Sequence, residues 1–121
     1  MNDFRLSTQR CKPCRGGQRP LAPAQVKDLL KHIAGWELTS NKKAITQEFL
    51  MKNFVAAVDL IGKITPIAQR EDHHPDLHLT GYRHLRIELS THAIGGLSMN
   101  DFILAAKIDQ LPKKLKVEIL K

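Results

Sequence analysis

Five of the six histidines in this 121-residue chain fall within 22 residues, EDHHPDLHLTGYRHLRIELSTH, from Glu71 to His92. Imidazoles gathered in this way can bind a metal or move protons near neutral pH. For a metal, His74 and His78 are four apart and could share a helix face. Pro75 argues against a helix there, because it removes a backbone donor and pushes His74 towards an extended conformation. Neighbouring side chains of an extended segment point to opposite sides, so His73 and His74 do not readily chelate one ion together. Proton transfer fits better, since one imidazole can give a proton while another accepts one. Asp72, beside the pair, can orient an imidazole. His92, just ahead of Gly95-Gly96, sits where a loop can bring it over a pocket. His78 and His84 read as solvent-facing strand positions and His32 as a helix-face residue. For His73, His74 and His92, spacing alone leaves the choice open.

Cys11 and Cys14 form a second group, CKPC. Two cysteines make half a zinc site, and no second CxxC or suitably spaced histidine pair completes it. A thioredoxin-like role needs the motif at the start of a helix after a strand, whereas CRGGQRP reads as loop. A structural role is favoured, with a metal site shared between subunits as the version of a chemical role that stays open.

The elements that must position these residues follow from periodicity. Residues 1–20, rich in Gly, Pro and Arg, read as a flexible basic arm. PAQVKDLLKHIAGW then predicts a helix with Pro23 in its first turn, Val26, Leu29, Leu30 and Ile33 on one face, and Gly35 as its stop. Trp36–Leu38 and Ala44–Leu50 are extended runs joined by TSNKK, a hairpin turn. A longer helix follows from Asn53, its N-cap, to about Arg70, with Pro66 expected to bend or restart it. Leu85, Ile87 and Leu89 alternate with polar residues as a strand with one buried face. Ser98 and Asp101 form a capping box for a last helix through about Gln110. Leu115, Val117 and Ile119 alternate in the basic tail 112–121, which can add a short strand or stay mobile. This order gives an α+β domain over residues 21–111, with helices covering one face of a mostly antiparallel sheet.

The net charge of +7 sits at the ends. Residues 1–21 carry +4 and residues 112–121 carry +3, while 22–111 are neutral. A domain built to grip phosphates shows its basic face within the fold, so nucleic-acid binding ranks low. No apolar run is long enough to cross a bilayer, and MNDFRLSTQR lacks the apolar core of a secretory signal. The expected address is cytoplasmic, with no membrane partner.

HHP at 73–75, six residues to Tyr82, nine more to His92 and eight more to Asp101 together resemble the signature of the pterin-4a-carbinolamine dehydratase family. AIGGLSMNDFILAAKI and the Gly35-Trp36 pair with its hairpin are similar too, so the resemblance covers about residues 21–111. It implies a four-stranded antiparallel sheet with three helices packed on one face, assembled as a homodimer or homotetramer. The implied reaction removes water from a 4a-hydroxytetrahydropterin, giving the quinonoid dihydropterin in tetrahydrobiopterin recycling, with neither metal nor organic cofactor. His73, His74 and His92 match the family's catalytic histidines. Ser90 and Thr91 match the strand lining the pterin pocket, and Asp72 and Gln69 are further substrate-binding candidates. Gln69 stands where many members carry an acidic residue, and can hydrogen-bond but cannot take a proton. Asp101 matches the family aspartate, although the capping box alone would also explain it; Tyr82 carries no assigned role. CKPCRGG looks like the N-terminal arm of one subgroup. Some family-like proteins are non-catalytic scaffolds that act as Rubisco assembly factors, so a Rubisco large subunit or carboxysome partner is the alternative. Animal members also bind a transcription factor as a dimerisation cofactor.

Overall fold

The computed structural model describes residues 5–13 and 18–116. Cys14 and the tail positions Val117 and Ile119 lie outside the described residues. After a 3-10 turn at Leu6–Thr8, the chain forms α1 (Pro23–Leu30), β1 (Glu37–Leu38), β2 (Ile45–Leu50), α2 (Phe54–Glu71), β3 (Asp76–Thr80), β4 (His84–Leu89), a 3-10 turn (His92–Ile94) and α3 (Met99–Asp109). The strands make one antiparallel sheet in the order β1-β2-β4-β3. The α+β fold, with three helices and a four-stranded antiparallel sheet, is the one the sequence implies.

β4 is the middle of the packing. Its alternation puts Leu85, Ile87 and Leu89 on the core face, each fully buried. Register extends that face sideways: Ile87 lies opposite Gln47 of β2 and Leu77 of β3, and Leu85 lies opposite Phe49 and Leu79. The opposite face carries Glu48, His78, Arg86 and Glu88, which are exposed or half-buried. Burying one such aliphatic side chain is worth up to about 1.5–3 kcal/mol, so the helices settle on the apolar face alone.

Local signals account for most element ends. The Asn53 side chain accepts the Ala56 N–H at 2.9 Å and starts α2. α2 runs on through Pro66 as one helix and does not restart there, a restart being the second of the two outcomes the sequence allows. α1 is shorter than its apolar pattern predicts and ends at Leu30. Beyond it, His32 and Ile33 N–H groups bond back to Leu29 and Leu30 carbonyls, three residues away. This tighter winding turns Ile33 and Trp36 into the core and leaves His32 exposed, outside the helix. Gly35 takes φ +91°, which suits glycine.

The N-terminal residues carry a packing role that their irregular composition does not signal. Leu6 is buried in the core, and Lys107 of α3 donates to the Ser7 carbonyl at 2.9 Å. At the other end, Leu115 forms an isolated antiparallel bridge with Met51.

Candidate active site

The geometry of the site begins where α2 stops. Asp72 adopts the left-handed conformation at φ 51°, ψ 43°. The His73 N–H then bonds back to the Ala68 carbonyl at 3.1 Å, and the Asp72 N–H to that of Gln69 at 3.3 Å. This is a Schellman-type helix end, and it reverses the chain so that His73 turns inward. Pro75 stands immediately ahead of β3, where a proline at the strand entrance removes no ladder hydrogen bond. The reversal separates the two adjacent histidines: His73 is buried and His74 is exposed.

His73 meets the start of α3. Its Nε2 lies 2.6 Å from Oδ1 of Asp101, which is completely buried. A carboxylate has only acceptors to offer, so Nε2 donates and Nδ1 is the ring nitrogen left for other partners. The second oxygen of Asp101 accepts the Thr91 hydroxyl at 2.8 Å and the Ser98 N–H at 3.0 Å. Since the Thr91 proton is used there, Ser98 donates to Thr91 Oγ at 2.8 Å, and Ser98 in turn accepts the Asn100 N–H at 3.2 Å. Among the described residues no buried side-chain polar atom lacks a partner. Asp101 therefore caps α3 and holds His73 at once, two functions that its position in the capping box does not separate.

A cavity of about 510 Å³ opens beside this network. It is lined by Asp72, His73 and His74 from the end of α2, by Ser90, Thr91 and His92 following β4, and by Cys11, Lys12 and Pro13. His92 begins its 3-10 turn and is exposed at the cavity. His74 Nε2 lies 2.7 Å from Oε1 of Gln69, an acceptor, so this nitrogen donates. Gln69 thus stands behind His74 and does not line the cavity. Thr91 lines it, but its hydroxyl is occupied by Asp101 and Ser98.

Tyr82 is not brought to this group. It sits in the β3–β4 turn at φ 57°, 57% exposed, with the Arg83 guanidinium 5.2 Å from its ring centre. His78 is exposed on β3, and His84 pairs with Glu48 at 3.1 Å on the open sheet face. Among the described residues no three His, Cys, Asp or Glu side chains converge so as to hold a metal ion.

Two residues at the site escape a reading of motifs. Glu71 and Asn100, both buried and both lining the cavity, hold the backbone of residues 11 and 12. Burial alone would raise the Glu71 carboxyl. The Cys11 N–H, Arg70, Lys107 and Arg10 outweigh it and hold the group below its ordinary value. The available hint was adjacency, because Glu71 precedes DHHP and Asn100 precedes Asp101.

Comparison with known proteins follows the same outline. A family model described as pterin 4 alpha carbinolamine dehydratase matches residues 19–111. The chain is 43% identical over 109 residues to the mitochondrial pterin-4-alpha-carbinolamine dehydratase 2 of Arabidopsis thaliana, covering 88% of this chain but 58% of that longer protein. It is 47% identical to a Nitrosomonas europaea protein provisionally named pterin-4-alpha-carbinolamine dehydratase, with 89% and 94% of the two chains covered. A crystal structure of a transcriptional coactivator/pterin dehydratase from Brucella melitensis superposes with a TM-score of 0.71 at 26% identity, covering 75% of this chain and 96% of that one. With the family model matching residues 19–111 and relatives at this identity over most of its length, the chain belongs to the pterin 4 alpha carbinolamine dehydratase family.

Proposed function

We propose that this protein removes water from a 4a-hydroxytetrahydropterin to give the quinonoid dihydropterin. The observation that carries the reading is the union, at one cavity, of three histidines from two separate segments, one of them held by a buried aspartate. Hydroxide is a poor leaving group, so the C4a–O bond breaks readily only when an acid protonates the oxygen. A ring-nitrogen lone pair drives the departure, and a base then takes a ring proton; the net loss is one water. Imidazoles supply both partners near neutral pH. His74 and His92, exposed at the cavity, exchange protons with the adduct and with solvent. His73, held through Nε2, offers Nδ1 to the pterin. Ser90 and Asp72 bind substrate, Thr91 acts through Asp101, and Gln69 orients His74.

A homo-oligomer belongs to the same proposal. Phe54, Val55 and Val58 on α2 are 53%, 65% and 45% exposed, an apolar stripe suited to a second copy. Fractionation of host cells checks the cytoplasmic address; among the described residues no helix is long and apolar enough to cross a membrane. The alternative is a non-catalytic assembly role on the Rubisco large subunit, in which the His73–Asp101 pair would serve only the packing at the start of α3.

The test is a dehydration assay with freshly generated 4a-carbinolamine, run beside His74→Ala and His92→Ala. Each variant should lose roughly 10²–10⁴ in rate, the usual weight of a positioned acid or base. A folded wild-type protein that gives no acceleration over the uncatalysed reaction sinks the proposal.

A further inference from the structure

One side of the cavity lies outside the part of the chain that defines the family. The family match begins at residue 19, yet Cys11, Lys12 and Pro13 line the cavity together with the histidines. This segment is held by its backbone. Glu71 Oε1 accepts the Cys11 N–H at 2.8 Å, Asn100 Oδ1 accepts the Lys12 N–H at 2.9 Å, and Asn100 Nδ2 donates to the Lys12 carbonyl at 2.6 Å. The Glu71 side chain also pairs with Arg10 at 3.2 Å.

Both anchors are 6% exposed. A buried carboxylate or amide left without partners is costly, and here the partners come from 60 and 88 residues away in the chain. A primary amide presents a donor and an acceptor, which match the C=O and N–H of one residue. The Asn100–Lys12 pair therefore sets the segment's orientation as well as its distance, whatever side chain stands at position 12. The anchors are also placed with respect to the chemistry. Glu71 closes α2 two residues before His73, and Asn100 is the neighbour of Asp101 in α3.

We propose that residues 10–13 form a strap that completes the pterin cavity, with Asn100 and Glu71 as positioning residues that hold it. The strap contributes to how tightly substrate is bound and not to the proton transfers themselves. The inference rests on the dehydratase reading for its substrate.

Three measurements on the full chain test it: hydrogen exchange at the Cys11 and Lys12 amides, titration with a 7,8-dihydropterin, and steady-state kinetics. Asn100→Ala removes both bonds to Lys12. Lys12→Pro deletes one of the same N–H groups from the strap side, leaves the α3 cap untouched, and carries the test if the first variant fails to fold. In either variant the remaining strap amides should exchange faster. KM and the dihydropterin Kd should each rise about tenfold, the weight of one or two net hydrogen bonds, with kcat within about threefold. Strap amides that exchange freely in the wild type overturn the proposal. So does a freed strap with unchanged KM and Kd, or a fall confined to kcat, which would make Asn100 a support for Asp101 alone. A wild type that binds the dihydropterin without turning over substrate sinks the dehydratase reading and leaves the strap to be judged on binding; one that binds no pterin overturns both.

Discussion

Replacing Asp101 with asparagine changes one oxygen to an amide nitrogen and disturbs two tasks unequally. Two donors, the Thr91 hydroxyl and the Ser98 N–H, converge on one carboxylate oxygen at 2.8 and 3.0 Å, and His73 Nε2 meets the other at 2.6 Å. The carbonyl of the substituted amide must keep the two donors, so its NH₂ group turns to His73. Nε2 must then accept, and the imidazole proton moves to Nδ1. A charge-assisted bond of about 1.5–3 kcal/mol gives way to a neutral one of about 0.5–1.5, a net loss of roughly 1–2 kcal/mol. Lost in the transition state, that amounts to about 5–30-fold in rate. Loss of Nδ1 as an acceptor adds to it, so Asp101→Asn should slow dehydration by about 10² or more. Stopped-flow dehydration gives the rate, nitrogen-15 imidazole spectra give the tautomer, and urea unfolding gives the stability. A variant with the wild-type rate and with Nε2 still protonated refutes the reasoning and reduces Asp101 to a cap for α3.

Glu71→Gln should lower stability in a pH-dependent way. The folded carboxyl lies below its ordinary 4.5, so on acidification the unfolded chain takes up the proton first. The stabilisation is complete above that ordinary value and is lost as pH falls through the folded one; urea midpoints of the two proteins should differ at neutral pH and converge in acid. Equal midpoints at neutral pH would show that the Glu71 charge contributes nothing. Ile87→Ala, at the fully buried centre of β4, should cost about 2–5 kcal/mol in urea unfolding with an unchanged slope; a loss well under that range would mean the core is not centred there. If the proposed homo-oligomer forms through α2, Phe54→Glu together with Val58→Glu should reduce the sedimenting mass to that of a monomer while the fold is kept. A wild type that already sediments as a monomer overturns the oligomer, and an oligomer of unchanged mass in the variant overturns the role of α2.

Much of this molecule is written in stretches of a few residues. The strand at 84–89, the Asn53 cap and the Ser98–Asp101 box are legible because each depends on neighbours within about four positions, where backbone periodicity dictates which groups meet. The histidines are likewise visible as a cluster, and their spacing to Tyr82, His92 and Asp101 carries the family resemblance. That spacing does not give roles: Tyr82 belongs to the signature yet stands at an exposed turn, away from the cavity. Where α1 ends was decided by the core's claim on Ile33 and Trp36, which overrode a helical pattern that continued past Leu30. Tertiary structure alone distinguished His73 from His74, since a single left-handed residue, Asp72, sends one to a buried aspartate and leaves the other exposed. It alone joined Asn100 to Lys12. Partners 28 and 88 residues apart are chosen by how helices and sheet pack, and no local pattern along the chain specifies which buried polar groups that packing will bring within hydrogen-bond reach.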